Sequence, residues 1–154
     1  DISVRHEWYT TGAMKITTKQ HRLVILLEGV ERFYAMKAII CVGAENITSV
    51  KWDNLYPQQK DLGGWRAPGT AVPFRFQAGS YYYRRQWEFR YLKLRQQGQL
   101  VIHTKLKKYA IIRLTTDKAL ALGIVQWFNI LKKQRKIAWW ILKKYDRRNY
   151  YGLT

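Results

Sequence analysis

Apolar residues come in short runs over the first two-thirds of the chain and in helical phase over the last third. Leu23-Val24-Ile25-Leu26-Leu27, entered from Arg22, is one such run, closed by the turn signal Glu28-Gly29. A second run, Phe33–Val42, ends at Gly43, and two runs across a Gly-containing connection predict a hairpin. Ile47–Trp52 alternates apolar with polar residues, as a half-buried strand does. Residues 53–69 are polar and punctuated by Pro57, Gly63, Gly64 and Pro68, which predicts the longest loop. Thr70–Phe76 is extended, with Pro73 confining it to an edge or a bend. Tyr81–Leu94 alternates most clearly. Read as one strand, it puts Tyr83, Trp87, Phe89 and Tyr91 on one face, broken by Arg85, and Arg84, Gln86, Glu88 and Arg90 on the other. Gln96-Gln97-Gly98 is a turn. Leu100–His103 and Tyr109–Leu114 are strands either side of a basic turn at Lys105, Lys107 and Lys108. About seven short strands result, with no internal repeat.

The period then lengthens. Thr115-Thr116-Asp117 offers an N-cap and an early carboxylate, and no proline follows before Tyr151-Gly152. At about 100° per residue, Leu120, Ile124, Trp127, Phe128, Leu131, Ala138, Leu142 and Tyr145 share one side. Lys118, Lys132, Lys133, Lys136, Lys143, Lys144 and Arg147 fall around the other. One long amphipathic helix accounts for both stripes, with Gln134 as the place for a break.

Charge sharpens this picture. The 154 residues carry 28 Lys+Arg against 10 Asp+Glu, a net charge of +18. Up to Gly79 there are 10 basic and 7 acidic residues; from Ser80 onward there are 18 and 3. A surface evolved for solubility alone intersperses both signs, so this asymmetry points to an anionic partner for the C-terminal half. With 47% hydrophobic and 15% aromatic residues the chain can still bury one domain's core.

Catalytic chemistry is poorly represented. His6, His21 and His103 are scattered without metal-ligand spacing, and no phosphate loop, Gly-x-Ser-x-Gly elbow or carboxylate pair stands out. The expectation is a non-enzymatic protein with no catalytic residue, metal or cofactor. Cys41, within Ala38–Val42, reads as a buried small hydrophobe in a reducing compartment. No segment has the run of about 18 apolar residues that spans a bilayer, and residues 1–11 lack a signal-peptide profile. The chain begins with Asp1 rather than Met, which leaves open an anchor before it.

The basic helix is the stronger signal. Trp139 borders the basic side, and Trp140 sits within it among Lys132, Lys136, Lys143 and Arg147. Three partners use Trp with Lys. At an anionic membrane surface the ring lies at headgroup depth while lysines pair with lipid. On nucleic acid the ring stacks on a base and lysines neutralise phosphates. In a homo-oligomeric scaffold the ring is buried against another subunit. A second basic cluster, Arg84, Arg85, Arg90, Lys93 and Arg95, reads either as an exposed sheet face or as an anion-binding one, since arginine's planar fork favours phosphate.

About seven strands followed by one amphipathic helix resembles the order of pleckstrin-homology-like (PH-like) domains, especially bacterial ones. Arg22-Leu23-Val24-Ile25 and Ile47-Thr48-Ser49-Val50 are similar to their early strands, the latter to an I-x-S-V segment. Gly69-Thr70-Ala71-Val72-Pro73, within Gly64–Pro73, resembles a G-T-x-x-P stretch that Ala78-Gly79 and Trp87-Glu88-Phe89 continue. Tyr109-Ala110-Ile111-Ile112 leading to Thr116-Asp117 resembles the last strand and helix start. The likeness covers residues 12–131; Phe74 stands where the family often has Gly, and the basic extension outruns its usual helix. It implies an α+β, mainly β fold, a bent antiparallel sheet or open barrel capped by the helix. Residues 1–11 would be an N-terminal extension, 12–131 the domain and 132–154 a basic helical extension. The family is common near bacterial membranes, so together with the basic helix the expectation is a binding module at the inner face of a bacterial membrane, on anionic lipid or a membrane-bound complex. The family supplies no shared set of ligand residues to carry over.

Overall fold

A computed structural model of the chain describes residues 6–9, 14–27, 39–57, 63–66, 70–72 and 76–151. Among these, eleven strands form two sheets and one long helix closes the chain, an α+β, mainly β architecture. The first sheet is an antiparallel meander of β1 (His6–Tyr9), β2 (Met14–Lys19), β3 (Arg22–Leu27) and β4 (Ile39–Gly43). Strict alternation drives it. Met14, Ile16, Leu23, Ile25, Leu27, Ile40 and Val42 point inward, while their neighbours face out. The hairpin of the two early apolar runs is present as β3 paired with β4, Ile25 opposite Ile40; its connection, residues 28–38, lies outside the described residues. Cys41 is exposed rather than buried. With Ile40 and Val42 both inward, a period of two leaves Cys41 no other side. The N-terminal segment, expected as an extension, contributes β1 to this sheet.

A 3-10 turn, Ala44–Asn46, carries the chain to the second sheet. That sheet comprises β5 (Ile47–Asp53), β6 (Trp65–Arg66), β7 (Thr70–Val72), β8 (Phe76–Tyr83), β9 (Gln86–Lys93), β10 (Gln99–Thr104) and β11 (Ile111–Leu114). Its order is β5-β10-β11-β9-β8-β6, with β7 also on β8. The expected single antiparallel sheet of about seven strands is instead two sheets, and the second is not wholly antiparallel: β11 runs parallel to β9 and separates it from β10. Thr48 is an extra residue in β5, because Ile47 pairs with Thr104 and Ser49 with His103. This bulge lets Ile47 and Val50, three apart, both face the core.

The segment Tyr81–Leu94 is a hairpin, not one strand. Tyr83 opposes Gln86 across a two-residue turn at Arg84 (φ 50°) and Arg85 (φ 66°). Positive φ at both positions is the type I′ pattern, which matches strand twist and normally carries Asn-Gly. The turn keeps the alternation going while reversing the chain, so Tyr83 ends on the face opposite Trp87 and Phe89.

The helix α1 (Lys118–Tyr151) has 34 residues and no break at Gln134. Asp117 Oδ1 accepts the Leu120 amide at 2.9 Å, an N-cap bond. Leu120, Ala121, Ile124, Phe128 and Leu131 are buried, and the first four join residues of both sheets in one continuous core. Burial of each large side chain contributes about 2 kcal/mol.

Candidate functional site

The helix starts at one end of the second sheet and leaves at the other. Its start follows Leu114, where Thr115 donates its amide to Tyr91 and its hydroxyl accepts from the Lys93 amide at 2.8 Å. Thirteen residues on, Phe128, Leu131, Lys132 and Arg135 line a small cavity with Ala44, Ile47 and Thr48, beside the β5–β10 end. Beyond Arg135 no described strand packs against it. Every described side chain from Lys132 to Lys144 is exposed, and Ile137, Trp139, Trp140, Ile141 and Leu142 are 57–66% exposed. About 30 Å of helix therefore projects from the core.

On this arm the lysines and tryptophans are already paired. Lys143 Nζ lies 4.7 Å from the centre of the Trp139 ring, and Lys144 Nζ lies 5.0 Å from that of Trp140. Both are i,i+4 cation–π contacts. Lys132, Lys133 and Lys136 are exposed on the same arm, which also carries Arg147 in its last turns. Arg135 approaches Glu45 at 3.7 Å, both exposed, and tethers the base of the arm. From Lys118 to Tyr145 the helix contains no carboxylate.

The arginine-rich segment, by contrast, is dispersed. Arg84 and Arg85 cap the hairpin tip, with Arg84 over the Tyr83 ring at 4.9 Å. Lys93 and Arg95 lie at the far end of β9, about 25 Å away at the strand rise. Arg90, expected on an anion-binding face, is fully buried. Its Nε donates to Glu88, its Nη1 to Gln77 at 3.2 Å and its Nη2 to the Gly63 carbonyl at 3.0 Å. Burial lowers its pKa and the adjacent Glu88 opposes that shift. Arg90 pins the loop to the sheet. Sequence could not show this, because the Gly63 partner is 27 residues away.

The Lys105, Lys107 and Lys108 turn comes to the hairpin tip. Residues Lys107–Tyr109 form a 3-10 turn, and Lys105 and Lys107 line a groove with Arg85 and Trp87. The Lys105 amide bonds the Asn46 carbonyl at 2.8 Å, so this basic rim adjoins the end of the sheet where the arm departs. Two exposed aromatics, Trp65 and Tyr82, escaped the sequence reading. The hairpin register is what reveals them.

No group of three His, Cys, Asp or Glu side chains able to hold a metal occurs among the described residues. His103, half-buried on β10, is held below its usual pKa by burial first, then by Arg113 and Lys51. Among the described residues no helix is long and apolar enough to cross a membrane. The chain matches no family model, no curated protein and no solved structure.

Proposed function

We propose that this protein is a non-enzymatic, PH-like binding module that docks peripherally on an anionic membrane surface through the projecting arm of α1. The bacterial inner-membrane face is the location this reading implies. One observation carries it: an amphipathic helix keeps its apolar residues uncovered past Leu131 while lysines and tryptophans share the same stretch. Laid in the interfacial plane, such a helix buries Ile137, Ile141 and Leu142 among acyl chains. Its tryptophans sit at headgroup depth and its lysines meet lipid phosphate. Lys132, Lys133, Lys136, Lys143 and Lys144 would each contribute about 1 kcal/mol near the surface. A second copy of the arm fits less well, because stacking two helices that each carry eight Lys+Arg and one carboxylate, Asp146, past Leu131 brings like charges together.

Vesicle sedimentation tests this. The full chain should pellet with phosphatidylcholine vesicles containing phosphatidylglycerol and stay in the supernatant with phosphatidylcholine alone. W139A/W140A should weaken binding about tenfold or more, and each Lys→Gln change on the arm roughly fivefold. Equal binding to neutral vesicles, or none to anionic ones, overturns the reading.

A further inference from the structure

The second sheet carries aromatic rings that neither the core nor α1 covers. Trp65 on β6 pairs in register with Tyr82 on β8, and Tyr82 pairs with Trp87 on β9. Residues directly opposite on neighbouring strands share a face, so the three rings form one row. They are 82%, 40% and 39% exposed, and the Tyr82 and Trp87 ring centres lie 5.3 Å apart at 58°. Tryptophan is a residue that folding normally hides.

The row is built into the backbone. Gly64, at φ 116°, lets the chain pass so close to β8 that an added Cβ would lie 2.6 Å from the Tyr82 carbonyl oxygen. Its neighbour Gly63 is the residue whose carbonyl the buried Arg90 holds. Beyond Trp87 the row opens into a groove of about 510 Å³ lined by Arg85, Lys105 and Lys107, with no carboxylate among its lining residues. Three adjacent strands span about 10 Å, room for about two or three stacked bases.

We propose that this row and groove bind single-stranded nucleic acid, with bases on Trp65, Tyr82 and Trp87 and phosphates held by Arg85, Lys105 and Lys107. Flat rings beside cations are what stacking and phosphate neutralisation together require. The row lies on the face of the sheet that also bears Phe89 and Tyr91, at the hairpin-tip end that the core leaves uncovered. Its cations line a groove beside Trp87, which suits a flexible strand that bends into it better than a flat bilayer. No residue of α1 takes part, so the proposal stands apart from the membrane reading.

The test is fluorescence anisotropy of a labelled oligothymidylate of about ten nucleotides, titrated with the full chain. Wild type should bind saturably and more tightly than it binds a duplex. W65A, at a side chain too exposed to affect folding, should weaken binding about tenfold with an unchanged thermal midpoint. R85Q/K107Q should flatten the plot of log affinity against log salt by about 1.4, or roughly 0.7 per charge. Several results would overturn the proposal: no binding, equal duplex binding, or W65A behaving as wild type. It fails too if affinity falls only with K132Q/K136Q/K143Q/K144Q on the arm. Loss of vesicle binding by W65A with oligonucleotide binding intact would reassign the row to lipid. Vesicle binding by the arm can survive each of the other failures.

Discussion

A buried arginine is the most exacting residue in this molecule. Arg90 reaches Glu88, Gln77 and the Gly63 carbonyl, while Arg113 Nε stands 3.5 Å from the same Glu88 carboxylate. One carboxylate thus offsets two cations in the interior, and Tyr81 stacks on the Arg90 guanidinium at 4.5 Å. Removing its charge leaves both arginines desolvated without an anion. Glu88→Gln should therefore destabilise the fold by about 3–5 kcal/mol in urea unfolding. A loss under about 1 kcal/mol would show that the pair is replaceable by hydrogen bonding alone. The same cluster shows a limit of sequence reading. Arg90 alternates with aromatics like any surface residue of a half-buried strand, and nothing local marks it as covered. Its cover is a loop whose glycines fold back from far along the chain.

At the scale of elements, α1 changes role at Leu131 without changing conformation. Ile124, fully buried, and Ile141, more than half exposed, occupy the same helix with the same chemistry. Ile124→Ala should cost about 2–4 kcal/mol in thermal or denaturant unfolding. Ile141→Ala should stay within about 0.5 kcal/mol of wild type. Comparable losses would mean that the arm is packed in solution. The helix was legible from sequence because its 3.6 period ran unbroken from its cap through the basic stretch. Strands β3, β4 and β5 were legible because apolar residues alternate or cluster between turn residues, whereas β1 and β2, ahead of the first apolar run, were not read. The β8–β9 hairpin was not, since arginines occupy a turn that usually announces itself with Asn-Gly, at a conformational cost of about 1–2 kcal/mol each. Of the anticipated site, the arm with Trp139 and Trp140 stands exposed together. The arginine set splits between tip, interior and far end, because pairing partners, not spacing, decide where strand residues go.

For the whole molecule, an excess of like charge on the C-terminal half works against compactness. Raising ionic strength from about 10 mM to about 150 mM shrinks the screening length from roughly 30 to 8 Å. The thermal midpoint should therefore rise with sodium chloride over that range, while binding to anionic vesicles should weaken. A midpoint that falls with salt would mean that ion pairs, not repulsion, dominate. The parallel strand β11 has a consequence of another kind, in the order of folding. It fills the slot between β9 and β10, which neighbour each other in sequence but not in space. As the chain emerges during synthesis, those strands hold open edges until residues 111–114 follow, and hold an uncapped core until α1 closes over them. Sheet completion is thus deferred until residues 111–114 have emerged, and the interval before it is when this protein is most exposed to mispairing with another copy.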